Sequence, residues 1–204
     1  MGTVKPDLPI IAFKSQEAFE VWLGSRAGGG LWLKVAKKSS GIASVSRDEA
    51  VDAALCHGWI DGQLDSFDDR YWLIRFTPRQ STSIWSEKNR ARALELVALG
   101  RMRPARLSEI ERARKDGRWD KAYAGQSTAQ VPDDLMRALS KSKKAKALFD
   151  TLDSRNRYAI LYRVHNAKKP ETRSARIETF VAMLLRGETI HPMKAKAPKR
   201  ARKG

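Results

Sequence analysis

The spacing of apolar residues differs between the two halves of the chain. Between residues 10 and 117, short segments with apolar residues at every second position alternate with segments in which they recur every three or four positions. Between residues 132 and 190 the helical spacing prevails. We therefore predict an α+β fold, with a small, mostly antiparallel sheet of three or four strands packed by helices and an all-helical C-terminal half.

The clearest strand is Tyr71–Phe76, whose aromatic and β-branched residues are typical of a half-buried sheet. Alternation puts Trp72, Ile74 and Phe76 on one face, which we expect to join the core. The other face then carries Tyr71, Leu73 and Arg75. Further strands are predicted at Ile10–Phe13, Leu31–Ala36 and Trp59–Leu64, with a turn over residues 65–69.

Capping residues predict where the helices begin and end. Ser46 and Glu49 have the spacing of a capping box, so we expect a helix to begin there. Gly58 follows at the place where a helix commonly ends in a left-handed residue. Other helix starts are predicted at Ser15, Ser86, Pro104, Pro132, Ser142, Ser154 and Pro170. In all, we expect about seven helices.

Composition divides the chain into five parts. They are a loose N-terminal lead over residues 1–9, a mixed α/β part over 10–117, a linker loop over 118–131, a helical part over 132–190 and a disordered basic tail over 191–204. The linker is rich in Gly, Ser and Thr, and the tail is too polar to form a packed core.

Positive charge is the strongest feature of the composition. The chain has 204 residues and a formal net charge of +17, and taking away the six Lys and Arg of residues 193–204 leaves +11 on the remainder. Such a field attracts polyanions, which leaves nucleic acid, anionic lipid and acidic protein as partner classes. We expect the tail to bind nucleic acid or anionic lipid weakly and in a salt-dependent manner.

The sequence lacks signals for membrane insertion, secretion and metal binding. No run of about eighteen apolar residues is present to span a bilayer, and the N-terminus does not have the pattern of a secretory signal. The single Cys cannot form an internal disulfide, in agreement with a reducing, cytoplasmic location. His57, His165 and His191 lack ligand spacing, so we predict no metal site and no cofactor.

Polar residues of the central strand and the loop after it predict a site for an anion. Guanidinium groups are planar donors to phosphate or carboxylate, and the free N–H groups of a helix beginning near Ser86 also attract anions. The predicted site, called the anion groove below, consists of Arg75, Arg79, Thr77, Ser83, Asn89, Tyr71, Trp85 and Asp61, with Tyr71 and Trp85 expected to stack on a flat ligand. The alternative is that both arginines pair with Asp61, Asp65, Asp68 or Asp69 and only fix the loop.

Catalysis has weaker support. Cys56 and His57 are neighbours, but adjacent residues on a helix point about 100° apart and cannot form a nucleophile–base pair with each other. We expect Cys56 in the core and His57 at a helix end, where its positive charge would favour the dipole. For Asp61 two roles stay open, a structural one and that of the titratable group in an enzyme pocket with Tyr71 and Arg75.

A second basic patch is predicted near the junction of two late helices. It consists of Arg163, Asn166, Lys168, Lys169 and Arg173. Such a patch is usually a solvated face. The alternatives are that it binds an anionic surface or that it closes over the anion groove.

Several motifs, in order along the chain, resemble one known family. They are ALCHGWIDG, YWLIRFTPR, SIWSEKN, GRMRPA and AILYRVHNAKKPETRSARIETFVAMLLRG. Over roughly residues 10 to 190 they resemble the YdeI/OmpD-associated family, also called bacteriocin-protection proteins. The resemblance implies a small cytoplasmic bacterial protein of stress protection, linked to survival of cationic antimicrobial peptides and to an outer-membrane porin, with no settled reaction.

Resemblance and charge together give the expected function. We expect a protein that binds an anionic ligand or acidic partner and contributes indirectly to peptide resistance, because a basic protein repels a cationic peptide. One alternative is an enzyme of unknown reaction with a pocket at Asp61, Tyr71 and Arg75. A second is a charge-driven, non-specific nucleic-acid binder.

Overall fold

The structure, a computed structural model, describes residues 8–25 and 29–193. It divides into two compact units, Met1–Ala122 and Tyr123–Gly204. Within the described residues the first unit holds a four-stranded sheet and four α-helices, and the second holds four α-helices. The predicted α+β class with a helical C-terminal half is confirmed. Residues 1–7 of the predicted lead and 194–204 of the predicted tail lie outside the described residues.

Strands and helices are interleaved in the first unit. They are β1 (Ile10–Ala12), α1 (Gln16–Gly24), β2 (Leu31–Ala36), α2 (Arg47–His57), β3 (Trp59–Ser66), β4 (Tyr71–Pro78), α3 (Glu87–Ala98) and α4 (Pro104–Lys115), with a short 3₁₀ turn at Lys38–Ser40. The predicted capping box is present, because Ser46 and Glu49 each accept a hydrogen bond from the other's backbone N–H. Gly58 ends α2 with φ of +73°, as predicted.

The strand order in the sheet is β1-β2-β4-β3. β1 runs parallel to β2, since α1 carries the chain back between them, whereas the β2–β4 and β4–β3 pairs are antiparallel. Ile74 and Phe76 pack with Leu31 and Leu33 in a core closed by α1 and α2. The face of β4 predicted for the core is therefore the one that lies there.

The hairpin of β3 and β4 is longer than the sequence indicates. β3 continues through Asp65 and Ser66, two residues that composition assigns to the turn, and β4 continues to Pro78. The register shifts between Asp61 and Leu64, so a bulge lets β3 bend and then resume its pairing. Resumed pairing explains why the strand runs past the position expected for its end.

The second unit is all-helical within the described residues. Its helices are α5 (Asp133–Ser140), α6 (Lys143–Thr151), α7 (Ser154–His165) and α8 (Pro170–Leu185). Leu135, Phe149, Ile160 and Leu184 belong to one buried cluster. The prediction that Ser154 caps α7 is wrong by one residue, because the Asp153 carboxylate accepts the N–H of Asn156 at 2.8 Å.

The boundary between the units falls after Ala122, within the segment 118–131 that composition assigns to a linker. Trp119 and Ala122 are buried in the first unit, in a cluster with Leu55 and Leu96. The start of that segment therefore packs as part of the first unit.

Candidate functional site

Arg75 lies on the face of the sheet opposite the main core. It stands across from Trp32 of β2 and shares a face of β4 with Tyr71. Lys34 of β2 lies on this face too, with its Nζ 4.2 Å from the ring centroid of Tyr71 and 4.5 Å from that of Phe67. This face, called the Arg75 face below, thus carries two cations, Arg75 and Lys34, and Lys34 lies beside two aromatic rings.

Asp61 and Asn89 lie on the opposite side of the sheet. Asp61 pairs in register with Phe76, a core residue, and residues directly opposite each other in a ladder share a face. The Asp61 carboxylate accepts a hydrogen bond from the Asn89 amide at 3.0 Å and lies 3.8 Å from the Arg47 guanidinium. The sheet therefore separates Asp61 from Arg75, and the anion groove is not brought together as one set.

Arg79 occupies the face of Trp85. Its guanidinium carbon lies 3.8 Å from the ring centroid of Trp85, and its Nη1 donates to the carbonyl of Ile84 at 3.3 Å. Trp85 is only 3% exposed and also meets Trp119 edge-on, with ring centroids 4.9 Å apart. The Trp85 ring therefore packs against Arg79 and Trp119 inside the protein, and a flat ligand cannot reach it to stack.

Two further residues of the predicted anion groove have local contacts. Ser83 accepts the N–H of Gln80 through its hydroxyl at 3.0 Å, and its carbonyl accepts Nη1 of Arg118 at 3.0 Å. Thr77 stands opposite Ile60 in the ladder. Ser83 therefore shapes the loop before α3.

The acids near the hairpin bind backbone N–H groups. Asp65 accepts the N–H of Ser66 at 2.8 Å, and Asp68 accepts those of Arg70 and Tyr71 at 2.8 and 2.7 Å. Among the described residues, none forms a hydrogen bond or an ion pair with the Arg75 side chain. The alternative in which these acids neutralise Arg75 is therefore not found.

Cys56 and His57 are both buried at the end of α2. Cys56 is 4% exposed, and burial raises the pKa of its thiol, which suits the expected core role and not a nucleophile. His57 lies at the helix end, as predicted, but burial lowers its pKa, and Arg103 and Arg106 add to this. The expected positive charge on His57 is therefore disfavoured.

Three side chains of the second basic patch are engaged within the second unit. Arg173 binds both carboxylate oxygens of Asp134 and donates to the carbonyl of Val164 at 2.8 Å. Arg163 and Asn166 each donate to a carbonyl one turn earlier in α7. Lys168 and Lys169 are exposed, and Arg163 is exposed too, although its Nη1 is hydrogen-bonded.

Sequence reasoning missed the buried carboxylate of Asp52. It is 7% exposed and accepts two hydrogen bonds from Arg92 of α3, while Arg101 lies 3.6 Å away. The pair borders an open groove of about 490 Å³ between α2 and α3. The sequence does contain a signal for this pair. Three alanines lie close to Asp52 in α2, which indicates close packing, and an acid on a closely packed helix requires a partner.

A smaller cavity was also missed. It has a volume of about 180 Å³ and lies where the end of α2 meets the start of α4. His57, Arg103 and Arg106 line it. The GRMRPA motif pointed to this segment without indicating that it meets His57.

Neither a membrane span nor a metal cluster is found in the part of the chain that the structure describes. No helix there is long and apolar enough to cross a bilayer. No group of three or more His, Cys, Asp or Glu residues there has the geometry to hold a metal ion.

Comparison with protein families gives two matches, one in each half of the chain. Residues 128–187 match the family described as "Bacteriocin-protection, YdeI or OmpD-Associated". Residues 11–109, which hold the CHGWIDG and RFTPR motifs, match a different family, a domain of unknown function (DUF8412). No curated protein and no solved structure matches the chain. The resemblance found in the sequence is thus confirmed over the late helices.

Proposed function

We propose that the chain, whose residues 128–187 match the YdeI/OmpD-associated family, is a bacteriocin-protection protein that acts by binding. The bound species is an anionic ligand or an acidic protein segment. The site is the Arg75 face of the first unit. The proposed location is the cytoplasm, in keeping with the single unpaired Cys.

The observation that carries this proposal is the unpaired guanidinium of Arg75. Arg75 is half-buried, and no described residue neutralises it, although Asp65 and Asp68 belong to the same hairpin. A partly desolvated guanidinium without a partner favours an incoming carboxylate or phosphate. Lys34, held over Tyr71, adds a second positive charge on the same face.

Binding is favoured over catalysis by the state of the two best catalytic candidates. The thiol of Cys56 is buried, and burial raises its pKa, so the reactive thiolate is disfavoured. Asp61 is held by Asn89 and lies across the sheet from Tyr71 and Arg75. The pocket that an enzyme would need from these three residues is therefore not supported.

The contribution to antimicrobial-peptide resistance is proposed to be indirect. The chain carries a net charge of +17, and a cationic peptide is repelled by a field of the same sign. An acidic partner protein is attracted by the same field. Stress protection then depends on the complex with that partner.

A thermal-shift titration tests the binding proposal. The probes are citrate, ATP and a poly-glutamate peptide, and a ligand at a hundred times its dissociation constant stabilises the folded protein by about 2.7 kcal/mol. We expect Arg75→Ala to abolish the shift. Arg70→Ala is the matched control, because Arg70 is an exposed arginine of the same hairpin. An equal shift in wild type and Arg75→Ala would refute the site.

A second candidate function rests on charge alone. Residues 193–204 carry six Lys and Arg without an acid, which favours weak binding to nucleic acid or anionic lipid. Deletion of these residues tests it, with DNA binding measured at two salt concentrations. Binding that is steeply salt-dependent and lost on deletion, together with no response to the three anionic probes, would favour this function.

A further inference from the structure

A cavity of about 180 Å³, partly open to solvent, lies between the turn that joins α2 to β3, the N-terminus of α4 and the end of α1 at Leu23 and Gly24. His57 and Trp59 form one wall, and Arg103, Ala105 and Arg106 form the other. None of these residues belongs to the Arg75 face, so the cavity is a separate candidate site.

His57 contributes a buried nitrogen without a partner. The residue is 6% exposed, and its Nδ1 lies 3.2 Å from the carbonyl oxygen of Ala53. A carbonyl oxygen only accepts, so Nδ1 carries the proton and donates it. Nε2, at the other end of the ring, is buried and has no hydrogen-bond partner within the described residues. A buried polar atom without a partner requires an explanation, and a ligand in the adjacent cavity would supply one.

Arg103 and Arg106 bring two guanidinium groups to the same cavity. Neither side chain forms a hydrogen bond or an ion pair with a described residue. Two acids of this region are already engaged, since Glu20 pairs with Arg101 at 3.4 Å and Glu109 with Arg112 at 2.9 Å. Neither of these acids therefore forms an ion pair with Arg103 or Arg106.

The start of α4 adds to this charge. Helix α4 has twelve residues, begins at Pro104 and has no side-chain cap. Ala105, in its first turn, lines the cavity. Pro104 has no N–H, and the N–H groups of Arg106 and Leu107 donate to the Arg103 carbonyl, so α4 favours an anion mainly through the partial positive charge of its N-terminal end.

We propose that this cavity binds a phosphate group, either free or as the end of a phosphate monoester, between Arg103 and Arg106 with His57 as the third contact. The donors approach from two elements and from more than one direction, which suits the four oxygens of a tetrahedral anion better than a planar carboxylate. The volume is below the roughly 300–1,000 Å³ of sites for drug-sized ligands, so the cavity has room for the phosphate group, and the rest of a monoester would extend into solvent.

Binding at this site is coupled to the charge of His57. In the free protein, burial lowers the pKa of His57, Arg103 and Arg106 lower it further, and Glu20 acts in the opposite direction. A bound dianion offsets both guanidinium groups and gives the Nε2–H group an acceptor, which raises the pKa. His57 therefore takes up a proton on binding, and affinity decreases as the pH rises.

Calorimetric titration of the full chain with sulfate tests the proposal. Sulfate has the tetrahedral shape of phosphate but does not titrate near neutral pH, so any pH dependence belongs to the protein. Arg103→Gln and Arg106→Gln, which change exposed side chains, should each weaken binding about tenfold. Lys115→Gln removes one charge from the far end of the same helix and should change the affinity by less than about twofold.

Two further arms complete the experiment. Inorganic phosphate and methyl phosphate distinguish the two sources, since comparable affinity for both means that the cavity accepts a monoester. In buffers of different ionisation enthalpy, wild type should take up protons on binding sulfate, and His57→Gln should not. The arginine variants keep the test valid whether or not His57→Gln folds.

The proposal is overturned if wild type binds neither sulfate nor phosphate, or if Arg103→Gln and Arg106→Gln bind them as wild type does. Loss of sulfate binding in Arg75→Ala but not in the two α4 variants would also overturn it. None of these results depends on the acidic partner proposed for the Arg75 face, so the two proposals fail separately.

Discussion

Arg92 of α3 donates two hydrogen bonds to the Asp52 carboxylate of α2, one from Nε at 2.7 Å and one from Nη2. Seven residues of α2 are buried, so this helix packs on nearly every side. The Asp52–Arg92 pair is therefore a polar contact between α3 and the closely packed helix that carries Arg47 and His57.

Removal of the Asp52 carboxylate should destabilise the first unit. Asp52→Ala leaves the Arg92 guanidinium with only the exposed Glu95 as a partner, and we expect a loss of about 2 kcal/mol, less than for a fully buried pair because Arg92 is 37% exposed. Glu95→Ala is the control, since Glu95 meets the same arginine but is 59% exposed, and it should cost under about 0.5 kcal/mol. Urea unfolding measures both. Equal losses would show that burial of the carboxylate does not matter.

Gly58→Ala should affect stability and ligand binding through different causes. An alanine at φ of +73° costs about 1–2 kcal/mol, and its Cβ would lie 2.6 Å from Cδ and Nε of Arg106. Gly100→Ala has a similar φ of +67° with nothing within 4 Å of the added Cβ. Since the Arg106 side chain is exposed and can move, we expect similar losses of stability in both variants and weaker sulfate binding only in Gly58→Ala.

The phenol of Tyr158 should make the second unit sensitive to alkali. Burial, with Tyr123 and Tyr162 adding to it, raises the pKa of Tyr158 to about 12, and its hydroxyl donates to the carbonyl of Ala124 at 3.1 Å. The unfolded chain ionises this group near pH 10, so the folded state loses stability between about pH 10 and 12.

Comparison of wild type with Tyr158→Phe isolates this effect from the titration of lysines. At pH 7 the variant should be less stable by about 1 kcal/mol, because the hydrogen bond to Ala124 is lost. The difference should shrink as the pH rises above 10. A difference that stays constant to pH 12 would contradict the raised pKa.

The Asp134–Arg173 pair should make the stability of the second unit decrease at acidic pH. Hydrogen bonds from Arg173 hold the pKa of Asp134 below its usual range. The stability contributed by a carboxylate with a lowered pKa is present above the unfolded pKa of about 3.9 and is lost as the pH falls through the folded value.

Asp134→Asn tests this dependence. Both partners are partly exposed, so the loss at pH 7 should be only about 1 kcal/mol, and it should vanish at low pH. Thermal unfolding at a series of pH values measures it. Arg173→Lys should also lose stability at pH 7, because lysine cannot reproduce bonds to both Asp134 oxygens and to Val164.

Local signals explain why so many elements were predictable from the sequence. The Ser46–Glu49 capping box, the left-handed Gly58 and the alternation in β4 each depend on residues that are close in sequence. The partners of charged side chains depend instead on register and on distant elements. A bulge in β3 and the pairing of Asp61 with Phe76 decide that Asp61 and Arg75 lie on opposite faces.

The cavity beside His57 also depends on contacts between distant elements, so it could not be predicted from the sequence. The sequence identifies His57 as a helix end and GRMRPA as a motif, yet their meeting depends on how α4 packs against the turn at Gly58. Trp85 is a further case, because its strong stacking surface is taken by Arg79 from within the protein. Composition alone cannot distinguish an aromatic residue that stacks on a ligand from one that stacks on an arginine.

The bulge in β3 has a consequence for behaviour at high concentration. β3 pairs only with β4 among the described strands, so its other side is an open edge that another molecule can extend into a fibre. Three features make this edge unsuitable for pairing with another strand. They are the irregular register between Asp61 and Leu64, the glycine at position 62 and the charge of Asp65. We therefore expect resistance to amyloid-like polymerisation through this strand, and replacing Gly62 and Asp65 with valine should weaken that protection.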